Sequence, residues 1–350
     1  MGSLILGIES SCDETAAAVV RDGRVVESSV VNSQIASHRP YGGVVPEIAS
    51  RMHVEAFAPV VEEAMERAGR TWEELDGIAV THGPGLVAAL LVGLSGARAL
   101  GQAAGKPVWG VNHMEGHLAA LFLDPKVPGP EELGRTVVLM VSGGHSYVLE
   151  MEGMGRYRVL GQTLDDAAGE CLDKGANLLG LGYPGGPAIE KAAAGGDAGF
   201  APFTRGLAHP KRATTEDGLD MRMCFSFSGL KTALRYYLEK NPGVREEHLA
   251  DLASSFQEAV TGALADRAER ALQVTRAKTL VCVGGVAKNA VLRQKLEGVA
   301  RRRKALLHLT PMAYCTDNAA MIAAAAGLRM AAGLENPLAV EADPSLPLVE

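Results

Sequence analysis

At 350 residues the chain has room for two domains of ordinary size or for one large α/β unit. It is 47% hydrophobic and 21% charged, with 41 glycines and only 5% aromatics, an ordinary globular composition leaning toward small residues. A net charge of −7 leaves contact with nucleic acid to a local patch or a partner, and five cysteines without C-x-x-C spacing exclude a disulfide framework or a cysteine-rich zinc knuckle and point to a reducing cytoplasm.

The opening "MGSLILGIESSCDET" has a short apolar run and no basic flank, so it reads as a first strand and not a signal peptide. Leu6 breaks the N-myristoylation pattern. The stretch "LILGIESSCDETAAAVVRDGRVVESSV" predicts a strand, a small-polar turn, a second strand, an Asp-Gly hairpin and a third strand. A helix is expected over "PEIASRMHVEAFAPVVEEAMERAG", a buried strand over "GIAVTHGPG", a small-residue helix over "LVAALLVGLSGARALGQAAG" and a strand over "VWGV". No window holds about eighteen uninterrupted apolar residues, so a soluble chain without membrane contact is expected.

Next comes "VNHMEGHLAALF", where a strand gives way to a Leu/Ala-rich helix with Asn112 as N-cap. His113 and His117 then stack one turn apart on one face, a spacing that suits two imidazoles on one metal ion but needs a third ligand from elsewhere. Glu115 lies two residues from each histidine and points away from them. It cannot share a bound water as the glutamate of a zinc peptidase does, so the peptidase reading falls while the metal reading stands.

The stretch "TVVLMVSGGHSYVLEMEGMGRYRVLG" repeats the opening plan of strand, Ser/Gly turn, strand, Gly-containing hairpin and strand, which makes the chain a duplicated β-meander. Helices follow, then the strand "TLVCVGG" and the helix "AKNAVLRQKLEGVA", implying twice over a mostly parallel sheet with an antiparallel edge. The turns "ESSCDET" and "VSGGHS", and the pair Gly284 and Gly285, are places where backbone amides can cradle phosphate or another oxyanion. Asp165 and Asp166 read equally as functional acids or helix caps. "RRRK" at 301–304 reads as a solvated helix end, and Asp317 alone reads as an N-cap for "NAAMIAAAAGLRMA".

The duplicated plan resembles the actin-like ATPase superfamily. Within it, "GIESSCDET", "YGGVVPEIASRMH", "THGPGL", "HMEGH", "VSGGH", "DDAAGE", "YPGGP", "FSFSGLKT", "GGVAKN" and "CTDNAAM" resemble the tRNA threonylcarbamoyladenosine transferase family from Leu4 to about Ala332. The resemblance implies an α/β fold of duplicated actin-like (ASKHA) type, two mixed-sheet domains flanking a central cleft. Residues 1–112 with 318–341 would form the first domain and 113–317 the second, with helical insertions.

It further implies that His113, His117 and Asp317 bind one divalent iron or zinc ion per chain. Met140, Val141, Ser142, Gly143, Gly144, Asp173, Gly186, Glu190 (where relatives often carry Asp) and Asn289 match the substrate contacts, and an adenine nucleotide is expected in the cleft. The reaction implied is transfer of threonylcarbamoyl from threonylcarbamoyl-AMP to the adenosine 3′ of the anticodon in tRNAs reading codons that begin with A. A TsaB-like paralogue and a TsaE-like ATPase are the expected partners. Ser142, Asp13 and Glu14 are the candidate catalytic residues: Ser142 to stabilise oxyanion charge, the two acids to orient a water, amine or phosphate, although they read equally as turn carboxylates capping backbone N–H groups. Lys231 is a candidate RNA or phosphate contact. Two rival readings remain, a small-molecule kinase or ATPase of the same superfamily and a non-catalytic scaffold paralogue.

Overall fold

A computed structural model describes residues 2–207, 210, 212–336 and 340–349. The first half runs β1 (Leu4–Glu9), β2 (Glu14–Arg21), β3 (Val25–Ser33), α1 (Ile35–His38), α2 (Pro46–Ala68), β4 (Gly77–Gly83), α3 (Val87–Ala104), β5 (Val108–Asn112) and α4 (His113–Ala119). The second runs β6 (Thr136–Val141), β7 (Ser146–Gly153), β8 (Arg156–Gln162), α5 (Ala168–Leu178), α6 (Gly185–Ala192), α7 (Ser228–Lys240), α8 (Val244–Glu247), α9 (Leu249–Thr275), β9 (Thr279–Val283), α10 (Ala290–Arg303) and β10 (Leu306–Leu309), before α11 (Ala319–Ala331).

Two five-stranded sheets carry the duplication. Their strand orders, β3-β2-β1-β4-β5 and β10-β9-β6-β7-β8, are the same order read from opposite ends. In the first, β1 pairs antiparallel with β2 and parallel with β4; in the second, β6 pairs antiparallel with β7 and parallel with β9. Two of the four pairings in the first sheet, β1 with β2 and β2 with β3, are antiparallel and lie at one edge of it. At the expected Asp-Gly hairpin Asp22 has φ 57° and Gly23 φ 63°, the doubly left-handed pair of a type I′ turn, whose twist matches the flanking strands.

The chain divides into two compact units, residues 1–132 with 153–156 and 310–350, and residues 133–152 with 157–309. The division differs from the sequence reading, which gave 113–132 and 310–317 to the second domain. The reason is physical: α4 packs on α11, and α11 packs on β1 and β2, so the segments flanking both helices go with the first sheet.

All of β1 is buried because helices cover it, and α11 reaches it through alanines 319, 320 and 323–326, which are all fully buried. The approach is close. A Cβ on Gly7 would stand 2.3 Å from the Ala319 carbonyl oxygen. On α2 and α3, Val60, Val61, Ala64, Leu94 and Ala97 join Leu4, Leu6, Ile8, Ile78 and Val80 in one core, where each fully buried leucine or valine contributes about 1.5–3 kcal/mol. Among the described residues α3 is the one helix long and apolar enough to cross a membrane, with a mean hydropathy of 1.4; it lies against β4, burying Leu90, Gly93 and Leu94. None of the five cysteines is in a disulfide.

Candidate metal centre

Parallel strands β1, β4 and β5 end on one edge of the first sheet, where an α/β unit collects its functional loops. Asn112 ends β5 and caps α4, its Oδ1 accepting from Met114 N at 2.9 Å and Glu115 N at 3.4 Å. His113 and His117 follow one turn apart, with ring centroids separated by 4.8 Å. The third group arrives from residue 317. Asn318, not Asp317, caps α11 through a bond from Met321 N at 3.0 Å, leaving the Asp317 carboxylate to face the histidines.

Asp317 Oδ1 stands 3.5 Å from His113 Nε2 and 3.3 Å from His117 Nε2. Donors tetrahedrally placed around zinc at bond lengths of about 2.0–2.2 Å are separated by roughly 3.4 Å, so the Asp317 oxygen already stands at ligand spacing from each imidazole, and the three donor atoms lie within 4.8 Å of one another. His117 is 1% exposed, yet neither ring nitrogen makes a hydrogen bond. Buried polar atoms are normally partnered, and an ion between the imidazoles and the carboxylate would satisfy Nε2, the nitrogen that faces Asp317. Two imidazoles with one carboxylate suit divalent zinc or iron.

The surroundings orient the donors. His113 Nδ1 lies 3.1 Å from Glu9 Oε2 and 3.1 Å from Ser11 Oγ, which leaves Nε2 to face Asp317. Glu9 is fully buried and also accepts from Ser11 N and the Thr81 hydroxyl, both at 2.6 Å. The loop after β1 is held from three sides: His53 of α2 bonds the Cys12 carbonyl at 3.0 Å and the Thr15 hydroxyl at 2.7 Å, Gln34 N donates to Asp13 O, and Leu86 N donates to Ser11 O.

Charges crowd this pocket. Burial works against protonated His113, but the Asp317 and Glu9 carboxylates outweigh it and raise His113 to about 9. Burial pushes Glu9 up, but His113 pulls it down further, and the net direction is down. Glu14 is pushed up to about 10 by burial and by the charges of Asp317 and Asp13. Burial likewise drives the Cys12 thiol far up. A divalent cation at the triad would draw these groups toward their deprotonated forms.

The second unit holds the other expected residues. Met140 and Val141 end β6 and are fully buried between its two neighbouring strands. Ser142 is stapled into its turn, with its N donating to His145 O at 2.8 Å and its Oγ accepting from His145 N at 3.2 Å. Gly143 and Gly144 are exposed, and a Cβ on either would meet nothing within 4 Å. Asp173 accepts from Gly185 N at 2.6 Å, beside Gly186 at the start of α6. Glu190 accepts from Ala290 N at 2.8 Å, and Asn289 caps α10 while donating to Gln257 at 2.8 Å. Asp173, Gly186, Glu190 and Asn289 thus form one hydrogen-bonded district through α6 and α10. Metal triad and acids lie in one unit, and the turn and this district in the other.

Several motifs turn out to be structural. The Asp165 carboxylate receives Ser226 Oγ, Phe227 N, Ser228 N and Ser228 Oγ, capping α7 far along the chain, and Asp166 pairs with Lys174 at 2.7 Å. Arg302 and Arg303 in the basic run both pair with Glu269. Glu9, Ser11, Thr81 and His53 were not singled out in the sequence; the one signal was a carboxylate closing an otherwise apolar strand.

Residues 25–324 match the family described as TsaD: tRNA N6-adenosine threonylcarbamoyltransferase. Relatives of that name include one from Trichlorobacter lovleyi, 49% identical over 99% of this chain and 97% of the relative, and one from Symbiobacterium thermophilum, 50% identical over the same shares. A third, from Syntrophobacter fumaroxidans, is 52% identical over 92% of this chain and 93% of its own. Among solved structures, T. kodakarensis HypF superimposes with a TM-score of 0.62 at 15% identity over 96% of this chain and 48% of HypF, a likeness of fold of the actin-like ATPase type.

Proposed function

The chain belongs to the tRNA N6-adenosine threonylcarbamoyltransferase family, and from that premise we propose that it transfers threonylcarbamoyl from threonylcarbamoyl-AMP to the adenosine 3′ of the anticodon in tRNAs reading ANN codons. The observation carrying the proposal is the convergence of His113, His117 and Asp317 on donor separations of 3.3 and 3.5 Å. In the reaction the exocyclic amine forms a bond to the carbamoyl carbon and the bond from that carbon to the phosphate oxygen breaks. AMP departs with the bonding electrons, and the proton the amine gives up passes to AMP or to solvent. The amine is a poor nucleophile, so the protein has to stabilise charge on the carbamoyl oxygen and on the leaving phosphate.

Those three residues would hold a divalent iron or zinc ion, which when bound supplies Lewis-acid polarisation and a fixed point for the threonylcarbamoyl group. Ser142, Gly143 and Gly144 offer open backbone to a developing oxyanion, beside the buried end of β6 at Met140 and Val141. Asp13 and Glu14 are the acids assigned to orient a water, amine or phosphate; burial and the charges of Asp317 and Asp13 raise Glu14 to about 10 in the metal-free site, and a bound cation would bring it down. Asp173, Gly186, Glu190 and Asn289 are assigned to the adenylate. Since each of the three side chains already serves the fold, contact there falls to lone pairs and amide protons left over, or follows rearrangement.

A chain of net charge −7 is poorly suited to holding tRNA by itself, which supports dependence on a TsaB-like paralogue and a TsaE-like ATPase in the cytoplasm. The test is transfer from threonylcarbamoyl-AMP to an unmodified transcript, read by mass spectrometry of nucleosides. His117→Ala is expected to abolish product, and normal product from that variant would refute the metal assignment. Phosphorylation of a sugar or acid from ATP without tRNA would favour the kinase reading instead, which the paired imidazoles argue against.

A further inference from the structure

Two of the three candidate ligands sit on α4, which is seven residues long. A helix that short has no independent stability, so its rotation and tilt are set by contacts outside its own backbone. One is the cap at Asn112. The other begins at the residue between the histidines. Glu115 is 3% exposed and turned away from the triad, and its Oε2 and Oε1 accept from Arg329 Nη1 at 2.9 and 3.2 Å.

Arg329 lies in the last turn of α11, the helix whose first turn follows Asp317, and its Nη2 also donates to the Glu335 carbonyl at 3.4 Å. Between the ion pair and the triad the helices touch closely: a Cβ on Gly116 would stand 2.7 Å from Ile322 Cδ1. The two elements that bring imidazoles and carboxylate together are therefore in contact at Gly116 and tied by a charge pair between its neighbour Glu115 and a residue about two turns further along α11. Resting on the metal reading above, we propose that Glu115 and Arg329 are a positioning pair: their ion pair fixes the rotation of α4 against α11 and so the separation of His113 and His117 from Asp317.

A carboxylate buried this deeply keeps its partner because leaving either charge alone is unfavourable, so the pair acts as a stop with one preferred geometry. Ligand orientation by such outer contacts typically changes metal affinity 10–100-fold. The experiment measures Zn²⁺ affinity by chelator competition and the visible spectrum of Co²⁺ in the full chain. It compares Glu115→Gln, Arg329→Met, Arg329→Lys, the double variant Glu115→Gln/Arg329→Met, and His117→Ala.

With the wild type binding zinc and His117→Ala not, Glu115→Gln and Arg329→Met should each bind about 10–100-fold more weakly and alter the Co²⁺ spectrum. The double variant should be no weaker than the weaker single one, and Arg329→Lys should recover part of the loss. Should Glu115→Gln fail to fold, the comparison of Arg329→Lys with Arg329→Met decides. Wild-type affinity and spectrum in Glu115→Gln and Arg329→Met, even with lowered melting temperatures, would reduce the pair to a strut of the fold and overturn the inference, as would losses that multiply in the double variant. A wild type that binds no zinc or cobalt would remove the metal reading itself, and this inference with it.

Discussion

Glu9 shows at the scale of a single residue how the site is built. Its two oxygens receive an amide, a hydroxyl and the Nδ1 side of a candidate ligand, all within a fully buried strand end. Glu9→Gln keeps the shape but faces one of these donors with another donor, leaving a buried clash worth about 1–3 kcal/mol of stability. We expect a lowered melting temperature and zinc affinity reduced about 10–100-fold in chelator competition; unchanged affinity would deny Glu9 any part in aiming His113. The histidine pair was legible in the sequence because helical periodicity alone puts positions four apart on one face. Glu9 was not, because a strand shows which face a residue occupies but nothing of what another strand or helix brings to it. Asp317 and Asn318 illustrate the same limit: either could cap α11, and only the fold assigns the cap to Asn318 and the free carboxylate to Asp317.

At the scale of elements, the segment 340–349 runs past the ends of β4 and β5. Asp343 N donates to His82 O, Gly85 N to Pro344 O, and Asn112 Nδ2 to the carbonyl of Pro347 at 3.0 Å. Because Asn112 also caps α4, removing residues 343–350 should lower both the melting temperature and zinc affinity. Intact affinity in the truncated chain would show that the cap holds without the strap. Two buried histidines make a pH prediction. His53 and His82 are held below their ordinary value of about 6.5 because burial disfavours the charged ring. The unfolded chain binds these protons more readily, so their stabilisation is complete above pH 6.5 and is lost as pH falls through the folded values. His113 is shifted the opposite way, to about 9, and so loses stability only as pH rises above 6.5. Glu14, raised to about 10, works against His53 and His82, since its folded carboxyl keeps a proton that the unfolded one loses above about 4.5. The readout is therefore the comparison with His53→Gln: the wild type should lose more melting temperature than that variant from pH 7 down to 5, equal changes excluding His53 as a source. The approach of α11 to β1 is similarly testable: Gly7→Ala places a methyl against backbone, and thermal unfolding should show a loss of about 1–3 kcal/mol.

For the whole molecule, the internal repeat was the most legible feature, since two meanders of like pattern foretold two sheets of one strand order. The domain boundary was less so: nothing local marks 113–132 and 310–317 as belonging to the first sheet, because what assigns them is the packing of α4 on α11 across about two hundred positions of sequence. That discontinuity has a thermodynamic consequence. His113 and His117 precede the second unit in the chain and Asp317 follows it, so an ion held by all three closes the first unit across its interruption. Binding to the folded state alone stabilises by RT ln(1 + [metal]/Kd), about 2.7 kcal/mol at a hundredfold excess over Kd. Because a chain of two units need not unfold in one step, calorimetry should resolve where that energy goes. Zinc added to chelator-treated protein is expected to raise the transition of the first unit and leave that of the second in place. His117→Ala should remove the shift. A rise of equal size in both transitions would mean that the ion stabilises more than the unit that supplies its ligands, and a rise that survives in His117→Ala would place the ion elsewhere.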